Sequence, residues 1–548
     1  MKRYVIVGGV AGGMSAAARL RRLDAESEIV VLEKSGHVSY ANCGLPYFVG
    51  GVIQNEESLF LQSPESLYQR FRLDVRVGAE VTSIDRVTKT LSYTQEGTAH
   101  ELSYERLVLS PGAAAIRPKL PGIDRALSLR NIEDVEAMEQ AVSSHPLSAA
   151  IIGGGFIGLE LAENLRLRGI ATSVIEAQDQ VLAPLDPEMA TLVAAEIRKN
   201  GVRLYLGDAL ASIDSKTVTL ESGTVIPAEL VIMAIGVRPE ISLAKSAGLL
   251  IGERGGIAVD EFNLTNDSNI YAIGDAAEKS DAIDGSATLV PLANIANRHG
   301  RVVADHIAGK VLRGVKTQGT AIVKVFDLTV ATSGWNEKRL SSAGRPFIAV
   351  HTHPSSHAGY YPGAQGMSLK LLVDPNTHEI LGVQGVGREG VDKRIDVIAT
   401  AMRGGITAPE LADLELAYAP PFSSAKDPVN MLGYIAENVL SGLTPTAQWN
   451  EVEEKVAAGY FLLDVRSVGE VDNGTLPGAT NIPIDEIRER KAELPSSKIL
   501  VTCQVGQRGH AVTRLLREMG FDAVNLDGGY MTWSNSPANK QLNQEVVR

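Results

Sequence analysis

The 548-residue sequence predicts an α/β protein with two doubly wound units in series, followed by an α+β unit and a smaller α/β unit. Two observations support this fold class. Runs rich in Val, Ile and Leu alternate with helical patterns through about the first 240 residues, and a glycine-rich turn follows such a run twice. After about residue 320 the pattern changes to longer β-rich stretches followed by helices. A chain of this length is also expected to contain several hydrophobic cores.

The two glycine-rich turns predict two dinucleotide-binding sites. The turn GGVAGG at residues 8–13 follows the apolar run 4–7, and GGGFIG at 153–158 follows the apolar run 149–152. Such a turn lets backbone N–H groups and the dipole of the next helix bind a pyrophosphate, while an acid at the end of the second strand binds a ribose. The candidate residues are Gly8, Gly12, Gly13 and Glu33 in the first site, and Gly153, Gly155, Gly158 and Glu176 in the second.

The residues after Glu176 favour NADH over NADPH in the second site. Residues 177–180 include no Arg or Lys that could bind a 2′-phosphate. The first turn departs from the usual spacing because Val10 occupies the middle glycine position, but Glu33 still closes the second strand. Two turns of the same kind, each followed by an acid at the expected distance, favour nucleotide sites over ordinary structural turns.

Charge and cysteine content exclude several classes of partner. The formal net charge of −13 at pH 7 disfavours nucleic acid or an anionic membrane as the main partner. No window approaches the roughly 18 apolar residues of a membrane helix. Two cysteines in so long a chain, Cys43 and Cys503, indicate a reducing compartment, so we expect a cytoplasmic protein. Both cysteines lie in settings that we expect to suit a thiolate, and we predict no metal site.

Two further segments resemble those of two-dinucleotide-domain flavoprotein reductases. The segment NIYAIGDA at 269–276 is similar to their second flavin-binding sequence, and AIGVRP at 234–239 is similar to the segment where the pyridine-nucleotide domain rejoins the FAD domain. The resemblance implies FAD in the first site and NADH in the second. It adds Gly236, Gly274 and Asp275 to the cofactor-binding residues, with Asp275 holding the ribityl chain.

Cys43 lies in the segment SYANCGLPY at 39–47. Flavoprotein disulfide reductases commonly carry two cysteines spaced C-x-x-x-x-C, whereas Cys43 is alone here, so it must pair with an external partner or become a sulfenate or persulfide. The segment resembles that of the single-cysteine subgroup of coenzyme A disulfide reductases, NADH peroxidases and NADH oxidases. The turn at 8–13 and the segments HAGYYPG at 357–363 and YAPPFS at 418–423 are most similar to the coenzyme A disulfide and persulfide reductases.

This resemblance, which covers about residues 1–440, implies contacts with coenzyme A as a substrate or a bound carrier. Two of the arginines are three residues apart on a predicted helix and could together bind phosphates, although a solvated basic face is the alternative. The implied contacts are Ser15, Arg19, Arg22, Ser39, Asn42, His299, Tyr361 and Lys426. Tyr361 and Tyr418 are expected beside Cys43, reached from the other subunit of a homodimer; buried structural tyrosines are the alternative.

The last unit follows a linker-like stretch at 441–446 and resembles a rhodanese domain. The resemblance rests on DVR at 464–466, LPGATNIP at 476–483, LDGGY at 526–530 and the loop CQVGQR at 503–508. A six-residue loop that enters a helix can aim backbone N–H groups at the Cys503 sulfur and stabilise a persulfide anion, and Arg508 adds charge. Loops of similar shape serve phosphatases, and an inactive rhodanese domain is another alternative, but the flanking segments favour sulfane-sulfur transfer.

Taken together, these resemblances imply an FAD-binding domain at 1–118 and 250–322, an NADH-binding domain at 119–249, a dimerisation domain at 323–441 and a rhodanese-like domain at 450–535. We expect NADH- and FAD-dependent reduction of sulfur–sulfur bonds by Cys43, with Cys503 delivering sulfane sulfur. Two alternatives remain: an NADH oxidase or peroxidase that uses a Cys43 sulfenate, and a sulfurtransferase centred on Cys503.

Overall fold

The computed structural model describes residues 2–311, 313–314 and 316–539. They divide into two compact units. One comprises the chain up to Asp179 together with Gly201–Gly319, and the other comprises Gln180–Asn200 together with the chain from Thr320 onward. Within these described residues, no helix is both long enough and apolar enough to span a membrane.

The chain up to residue 200 alternates strands and helices at residues 3–32 and 148–199, as the sequence predicts, whereas six strands follow one another between residues 74 and 115. Its strands are β1 (Arg3–Val7), β2 (Glu28–Leu32), β3 (Asp74–Arg76), β4 (Ala79–Asp85), β5 (Thr90–Gln95), β6 (Thr98–Ser103), β7 (Arg106–Leu109), β8 (Ala113–Ala115), β9 (Ser148–Ile152) and β10 (Ala171–Glu176). Its helices are α1 (Ala11–Leu23), α2 (Leu45–Val49), α3 (Pro64–Phe71), α4 (Ile132–Ser143), α5 (Phe156–Leu167) and α6 (Pro187–Lys199).

Residues 201–319 complete the first unit. The strands here are β11 (Arg203–Leu206), β12 (Leu210–Ile213), β13 (Thr217–Leu220), β14 (Val225–Pro227), β15 (Leu230–Met233), β16 (Val237–Pro239), β17 (Ile270–Ala272), β18 (Lys279–Ser280) and β19 (Ala287–Thr288). The helices are α7 (Ser242–Ser246) and α8 (Ala293–Ile307).

Two parallel sheets of the first unit repeat one plan. Their strand orders are β17-β7-β1-β2-β3 and β11-β10-β9-β15. In each sheet a glycine turn leaves an interior strand, β1 or β9, and enters a helix, α1 or α5. The interior strands are apolar and almost fully buried, as expected where helices cover both faces of a parallel sheet. Ligands of such sheets bind at the carboxyl ends of the strands, where both turns lie.

The second unit combines α6 with the chain from residue 320. The strands of that chain are β20 (Ala321–Val325), β21 (Leu328–Gly334), β22 (Ile348–Thr352), β23 (Met367–Val373), β24 (Ile380–Gly387), β25 (Thr446–Ala447), β26 (Phe461–Asp464), β27 (Thr480–Asn481), β28 (Ile499–Thr502) and β29 (Ala523–Leu526). Its helices are α9 (Glu337–Ser342), α10 (Val391–Gly404), α11 (Pro428–Leu440), α12 (Val452–Ala457), α13 (Val468–Val471), α14 (Gln507–Glu518) and α15 (Gly529–Ser534).

Two five-stranded sheets organise this second unit. The antiparallel sheet has the order β20-β21-β24-β23-β22, and the parallel sheet has the order β25-β29-β28-β26-β27. The β-rich stretch that begins at residue 320 is two paired strands, β20 and β21, because the chain turns between them at Phe326, where φ is 53°. The mixture of parallel and antiparallel sheets with packed helices confirms the predicted fold class.

A buried ion cluster joins α6 to both sheets of the second unit. Its members are Asp186, Glu188, Glu337, His351, Lys370 and Asp527. Lys370 Nζ lies 2.9 Å from Asp186 Oδ2 and 2.7 Å from Glu337 Oε1, and it also contacts Glu188. The three carboxylates are spaced as a metal site would require, but the Lys370 ammonium lies among them as their cation.

His351 extends the ion cluster to the C-terminal sheet. Its Nε2 lies 3.0 Å from Glu188 Oε1, and its Nδ1 lies 2.6 Å from Asp527 Oδ2, just after β29. Burial by itself lowers the pKa of His351, but the hydrogen bonds with the two carboxylates outweigh it and raise the pKa to about 9. The imidazole is therefore charged at neutral pH. A second link joins His353 Nε2 to Thr532 Oγ1 at 2.7 Å.

Candidate active site

The two glycine turns of the first unit are held by their acidic residues in the same way. Glu33 Oε2 accepts a hydrogen bond from the backbone N–H of Gly9 at 2.7 Å, and Glu176 Oε2 accepts one from Gly154 at 2.8 Å. In both cases Oε1 accepts a second bond, at 2.9 Å, from the N–H two residues further along the chain. Each carboxylate therefore holds its glycine turn against the end of the second strand. This shared role explains why the acid follows the turn at a similar distance in both sites.

Glycine is required at both ends of each turn. Gly8 has φ +101° and Gly153 has φ +113°, a conformation that other residues rarely adopt. A Cβ on Gly13 would lie 1.9 Å from the Gly8 oxygen, and one on Gly158 would lie 2.0 Å from the Gly153 oxygen. The helix thus packs directly on the turn, and its first N–H groups point toward the carboxyl end of the sheet.

The middle of the second turn is more open than its ends, whereas the first turn is crowded throughout. Apart from its chain neighbours, no atom of the described residues lies within 4 Å of the position that a Cβ on Gly155 would take, so the backbone there is open to a ligand. A Cβ on Gly12 would lie 3.0 Å from Ser110 Oγ. The helix start and the fixed acid of both turns, with the open backbone of the second, fit the pyrophosphate and ribose groups of FAD and NADH.

Asp275 lies in the turn after β17, the edge strand of the first sheet. Burial raises the pKa of its carboxyl group, and the charges of Arg130 and Lys279 partly offset this. Lys279 was not predicted from the sequence. Its Nζ donates hydrogen bonds to the Gly274 and Ala277 oxygens at 2.7 and 2.8 Å, and burial lowers its pKa to about 8. The contact of Asp275 with a ribityl chain stays a prediction, as does the role of Gly236, which precedes β16 with φ +106°.

Cys43 lies in the 3₁₀ turn Asn42–Gly44 that leads into α2. It is a free thiol on an exposed residue. Even so, desolvation by the surrounding protein raises the pKa of the thiol, and the negative charges of Glu160 and Asp275 act in the same direction. All three effects favour the neutral thiol, and the expected thiolate role of Cys43 stays a prediction.

Glu160 is the residue near Cys43 that sequence reasoning missed. It lies on α5, and its Oε1 accepts a hydrogen bond from Tyr47 Oη at 3.3 Å. Burial raises the pKa of the Glu160 carboxyl group to about 7, and the Tyr47 hydrogen bond reduces the rise. The sequence does show Glu160 as an acid inside the apolar run FIGLELA at 156–162. This run belongs to the second nucleotide motif, far from Cys43 along the chain, so nothing in the sequence connects the two residues.

Glu160→Gln is expected to lower the pKa of the Cys43 thiol. Above about pH 7 the Glu160 carboxylate is charged and opposes ionisation of the thiol, and glutamine removes this repulsion. The pH dependence of alkylation of the reduced holoenzyme, in a Cys503→Ser background, should shift to lower pH. Glu136→Gln, an exposed change on α4, is the matched control. An unchanged or higher midpoint in Glu160→Gln would contradict this electrostatic coupling.

The predicted coenzyme A contacts on α1 differ in whether their side chains already have a partner within the protein. Arg22 is exposed, whereas Arg19 already forms an ion pair with Asp305, with Nε and Nη2 at 2.8 and 2.7 Å from Oδ1. Ser15 Oγ donates a hydrogen bond to Asn297 Oδ1 at 2.8 Å. The two arginines are therefore not equivalent, and a shared role in phosphate binding stays a prediction.

The other predicted contacts of the first unit lie in different settings. Ser39 has φ 50° and precedes the Cys43 turn, and the Oδ1 atom of Asn42 is buried without a hydrogen-bond partner in the described structure. His299 is buried, its Nδ1 lies 3.1 Å from Asn263 Nδ2, and burial lowers its pKa to about 3. His299 is therefore neutral at physiological pH, and its contact with coenzyme A stays a prediction.

The remaining predicted residues of the reductase part lie in the second unit. Tyr361 and Tyr418 are 42% and 49% exposed, so they are not buried structural tyrosines. Tyr418 Oη lies 3.1 Å from Tyr360 Oη, and the ring of His357 packs edge-on against Tyr361. Lys426 is exposed, with Nζ 5.8 Å from the centre of the Tyr434 ring.

The Cys503 loop connects β28 with α14. Cys503 is fully buried, and its carbonyl oxygen accepts a hydrogen bond from the N–H of Tyr530 at 2.7 Å. Gly506 caps α14 with φ +88°, so the chain turns sharply into the helix. The start of α15 supports the loop from behind, because a Cβ on Gly529 would lie 2.3 Å from the Cys503 oxygen. Cys503 thus lies in the loop, whereas Arg508 lies in the first turn of α14, and the roles of both residues stay predictions.

Domain comparisons identify the class of protein that this fold and these turns define. Residues 2–300 match the pyridine nucleotide-disulphide oxidoreductase family, residues 320–428 match its dimerisation domain, and residues 444–536 match the rhodanese-like domain. The chain belongs to the pyridine nucleotide-disulphide oxidoreductase family. It is a flavin-dependent oxidoreductase that uses NADH to reduce sulfur–sulfur bonds, and FAD and NAD(H) are its cofactors.

Individual relatives extend the match along the chain. Coenzyme A disulfide reductase of Staphylococcus aureus is 36% identical over 441 residues, which is 80% of this chain and 100% of the relative. The crystal structure of reduced CoADR-RHD of Bacillus anthracis is 46% identical, with a TM-score of 0.96, and covers 97% of this chain and 98% of that one. The NAD-dependent persulfide reductase from A. fulgidus is 37% identical, with a TM-score of 0.92, and covers 97% and 100%. The resemblances found in the sequence are confirmed.

Proposed function

We propose that this enzyme reduces coenzyme A disulfide, coenzyme A persulfide and polysulfide, with Cys43 as its single redox cysteine and Cys503 as a second centre that delivers sulfane sulfur. The observation that carries the proposal is the solitary free thiol of Cys43, in the turn after the first nucleotide site. Relatives named for coenzyme A disulfide and persulfide reduction support the choice of substrate.

In the proposed reaction, the Cys43 thiolate attacks a sulfur–sulfur bond and the other sulfur leaves as a thiolate. Coenzyme A disulfide gives a mixed disulfide of Cys43 with coenzyme A and releases one coenzyme A thiolate; coenzyme A persulfide gives a Cys43 persulfide and coenzyme A. Bound FAD supplies the electron pair, taken from NADH, that returns Cys43 to the thiolate and releases the second product. The two glycine turns with Glu33 and Glu176 would bind the cofactors, and Asp275 would bind the flavin side chain.

The same proposal assigns the remaining residues. Ser15, Arg19, Arg22, Ser39, Asn42, His299, Tyr361 and Lys426 would contact coenzyme A, and Tyr361 and Tyr418 would orient or protonate the leaving sulfur. The proposed domains are an FAD-binding domain at 1–118 and 250–322, an NADH-binding domain at 119–249, a dimerisation domain at 323–441 and a rhodanese-like domain at 450–535. The place of β17 beside β7 supports the discontinuous FAD-binding domain.

We also propose a homodimer in which the two tyrosines reach Cys43 of the partner subunit. The match to a dimerisation domain supports it. So does a group of exposed aromatic side chains, Tyr360, Tyr361, Tyr418 and Phe422, of which Tyr360 is 75% and Phe422 is 70% exposed. Two free thiols support the proposed location in the reducing cytoplasm.

Anaerobic turnover with a panel of acceptors tests the proposed division of labour. NADH oxidation with coenzyme A disulfide should stay within about twofold of wild type in Cys503→Ser, because that reaction needs only Cys43. Sulfide release from polysulfide should fall by about tenfold or more, because the sulfur-collecting thiol is lost. Working without oxygen separates this activity from that of an NADH oxidase. Equal losses with both acceptors would show that Cys503 is needed for structure rather than for sulfur delivery.

A further inference from the structure

An ion pair between Arg508 and Glu470 lies beside the Cys503 loop, and Glu470 was not among the residues predicted from the sequence. Arg508 Nη1 lies 2.8 Å from Glu470 Oε2, and Nη2 lies 2.5 Å from Oε1, a bidentate arrangement. Glu470 belongs to α13, and its Oε2 also accepts hydrogen bonds from the N–H and the hydroxyl group of Ser467 at 3.0 and 2.8 Å. Its orientation is therefore fixed from two sides.

The pair cancels the charge of the loop. Arg508 is the only basic residue among residues 503–508. Its hydrogen bonds lower the pKa of Glu470 to about 2, so the carboxylate is charged at any pH where a thiolate exists. The Cys503 sulfur is near enough to help raise the pKa of Arg508, although the hydrogen bond with Glu470 has the larger effect. The guanidinium that faces the sulfur thus has a permanent counter-ion.

A second arginine behind the loop is neutralised as well. Arg466 is buried; its Nη2 lies 2.7 Å from Asp464 Oδ2, and its Nη1 donates a hydrogen bond to Gln504 Oε1 at 3.1 Å. Its guanidinium group also stacks on the ring of Tyr530, 4.3 Å from the ring centre. Arg466 therefore braces the loop but brings no net positive charge to it. With both guanidinium groups paired, an anion at the loop meets uncharged donors such as backbone N–H groups, which suit one negative sulfur.

We propose that Glu470 determines donor specificity at Cys503, by favouring sulfane-sulfur donors that bring one negative charge to the loop over donors that bring two. This deepens the proposed function, since it assumes that Cys503 accepts sulfane sulfur. A monoanionic persulfide or thiosulfonate meets a loop of low net charge. Thiosulfate meets the same charges, the Cys503 thiolate and Glu470 with the Arg508 charge compensated, but as a dianion it is repelled about twice as strongly.

The transfer step is the same for both kinds of donor. The Cys503 thiolate attacks the outer sulfur, the bond from that sulfur to the rest of the donor breaks, and its electron pair leaves with the sulfite, the sulfinate or, from a persulfide, the thiolate. Thiosulfate gives a Cys503 persulfide anion and sulfite, and methanethiosulfonate gives the same persulfide and methanesulfinate. Cyanide then takes the outer sulfur as thiocyanate and restores the thiolate, so no external electrons are needed.

Thiosulfate and methanethiosulfonate form a matched pair of probes that differ by one charge. We expect Glu470→Gln, in the full-length protein, to raise kcat/KM for thiosulfate relative to methanethiosulfonate by about three- to tenfold, as removal of one nearby charge would. Added salt should accelerate the wild type with thiosulfate, because it screens repulsion, and should have little effect on the variant. Glutamine keeps the hydrogen bonds that cap α13.

Glu518→Gln is the matched control, because Glu518 pairs with Arg514 at 2.9 Å at the far end of α14. It should leave the ratio of the two donors unchanged. If Glu470→Gln also leaves both the ratio and the salt response unchanged, the specificity role of Glu470 is excluded. If neither donor gives thiocyanate with wild type or variant, Cys503 is not a sulfane-sulfur acceptor, and this part of the proposed function fails together with the inference.

Discussion

Replacing Cys43 with serine is expected to reduce NADH-dependent turnover of coenzyme A disulfide by about 10³-fold or more. A serine hydroxyl group is nearly the same size, but it does not ionise near neutral pH and cannot form the mixed disulfide that the proposed reaction requires. Because Cys43 lies in a short exposed turn, the change should not disturb folding or binding of the flavin.

Flavin absorbance and its bleaching by NADH, recorded on the same preparation, separate the two halves of the reaction. We expect bleaching to persist in Cys43→Ser while coenzyme A release is lost. Cys503→Ser serves as the control, since it removes the other cysteine of the chain and should retain coenzyme A disulfide reduction. Sulfide or coenzyme A production at the wild-type rate in Cys43→Ser would rule out Cys43 as the reductive centre.

Lys370→Met is expected to destabilise the second unit by about 3–5 kcal/mol. Lys370 is fully buried and is the cation for Asp186, Glu188 and Glu337, of which the first two are also buried. Methionine would fill most of the space but leave Asp186 and Glu337 without their cation, and Glu188 with His351 alone. All three tryptophans of the chain, Trp335, Trp449 and Trp533, lie in the second unit, so tryptophan fluorescence during urea unfolding follows this unit selectively.

Lys338→Met is the control for this prediction, because Lys338 is exposed on α9 and its loss should change the free energy of unfolding by less than about 0.5 kcal/mol. The effect of Lys370→Met should also shrink as the pH falls toward the range where carboxyl groups are protonated, since neutral acids need no counter-ion. A Lys370→Met variant as stable as wild type at neutral pH would show that the cluster does not depend on its charge.

The nucleotide sites could be predicted from the sequence because their determinants are local. Gly153, Gly155 and Gly158 lie within one turn, and Glu176 follows at the end of the next strand, so the spacing alone carries the geometry. The same holds for the Cys503 loop, where cysteine, glycine and arginine lie within six residues. A resemblance was still needed to assign FAD to the first site and coenzyme A to the substrate.

The electrostatic surroundings could not be predicted, because they depend on contacts between distant parts of the chain. Glu160 affects Cys43 from a helix of the second nucleotide motif, more than a hundred residues away. His351 is joined to Glu188 across 163 residues and to Asp527 across 176. No periodicity or spacing encodes such pairs. For the same reason Arg19 and Arg22 looked equivalent in the sequence, although Arg19 is paired with Asp305 and Arg22 is exposed.

The bond between His351 and Asp527 has a practical consequence for anyone who wishes to excise or graft the sulfurtransferase segment. Asp527 lies two residues before Gly529, whose backbone contacts the Cys503 carbonyl oxygen. The hydrogen bond between Asp527 and His351 therefore helps to fix the backbone that supports the Cys503 loop. A fragment that starts at the linker would take the aspartate and leave its imidazolium behind. Such a truncation removes the hydrogen bond that holds Asp527 in place, so a fragment that also keeps β22 preserves the native contact.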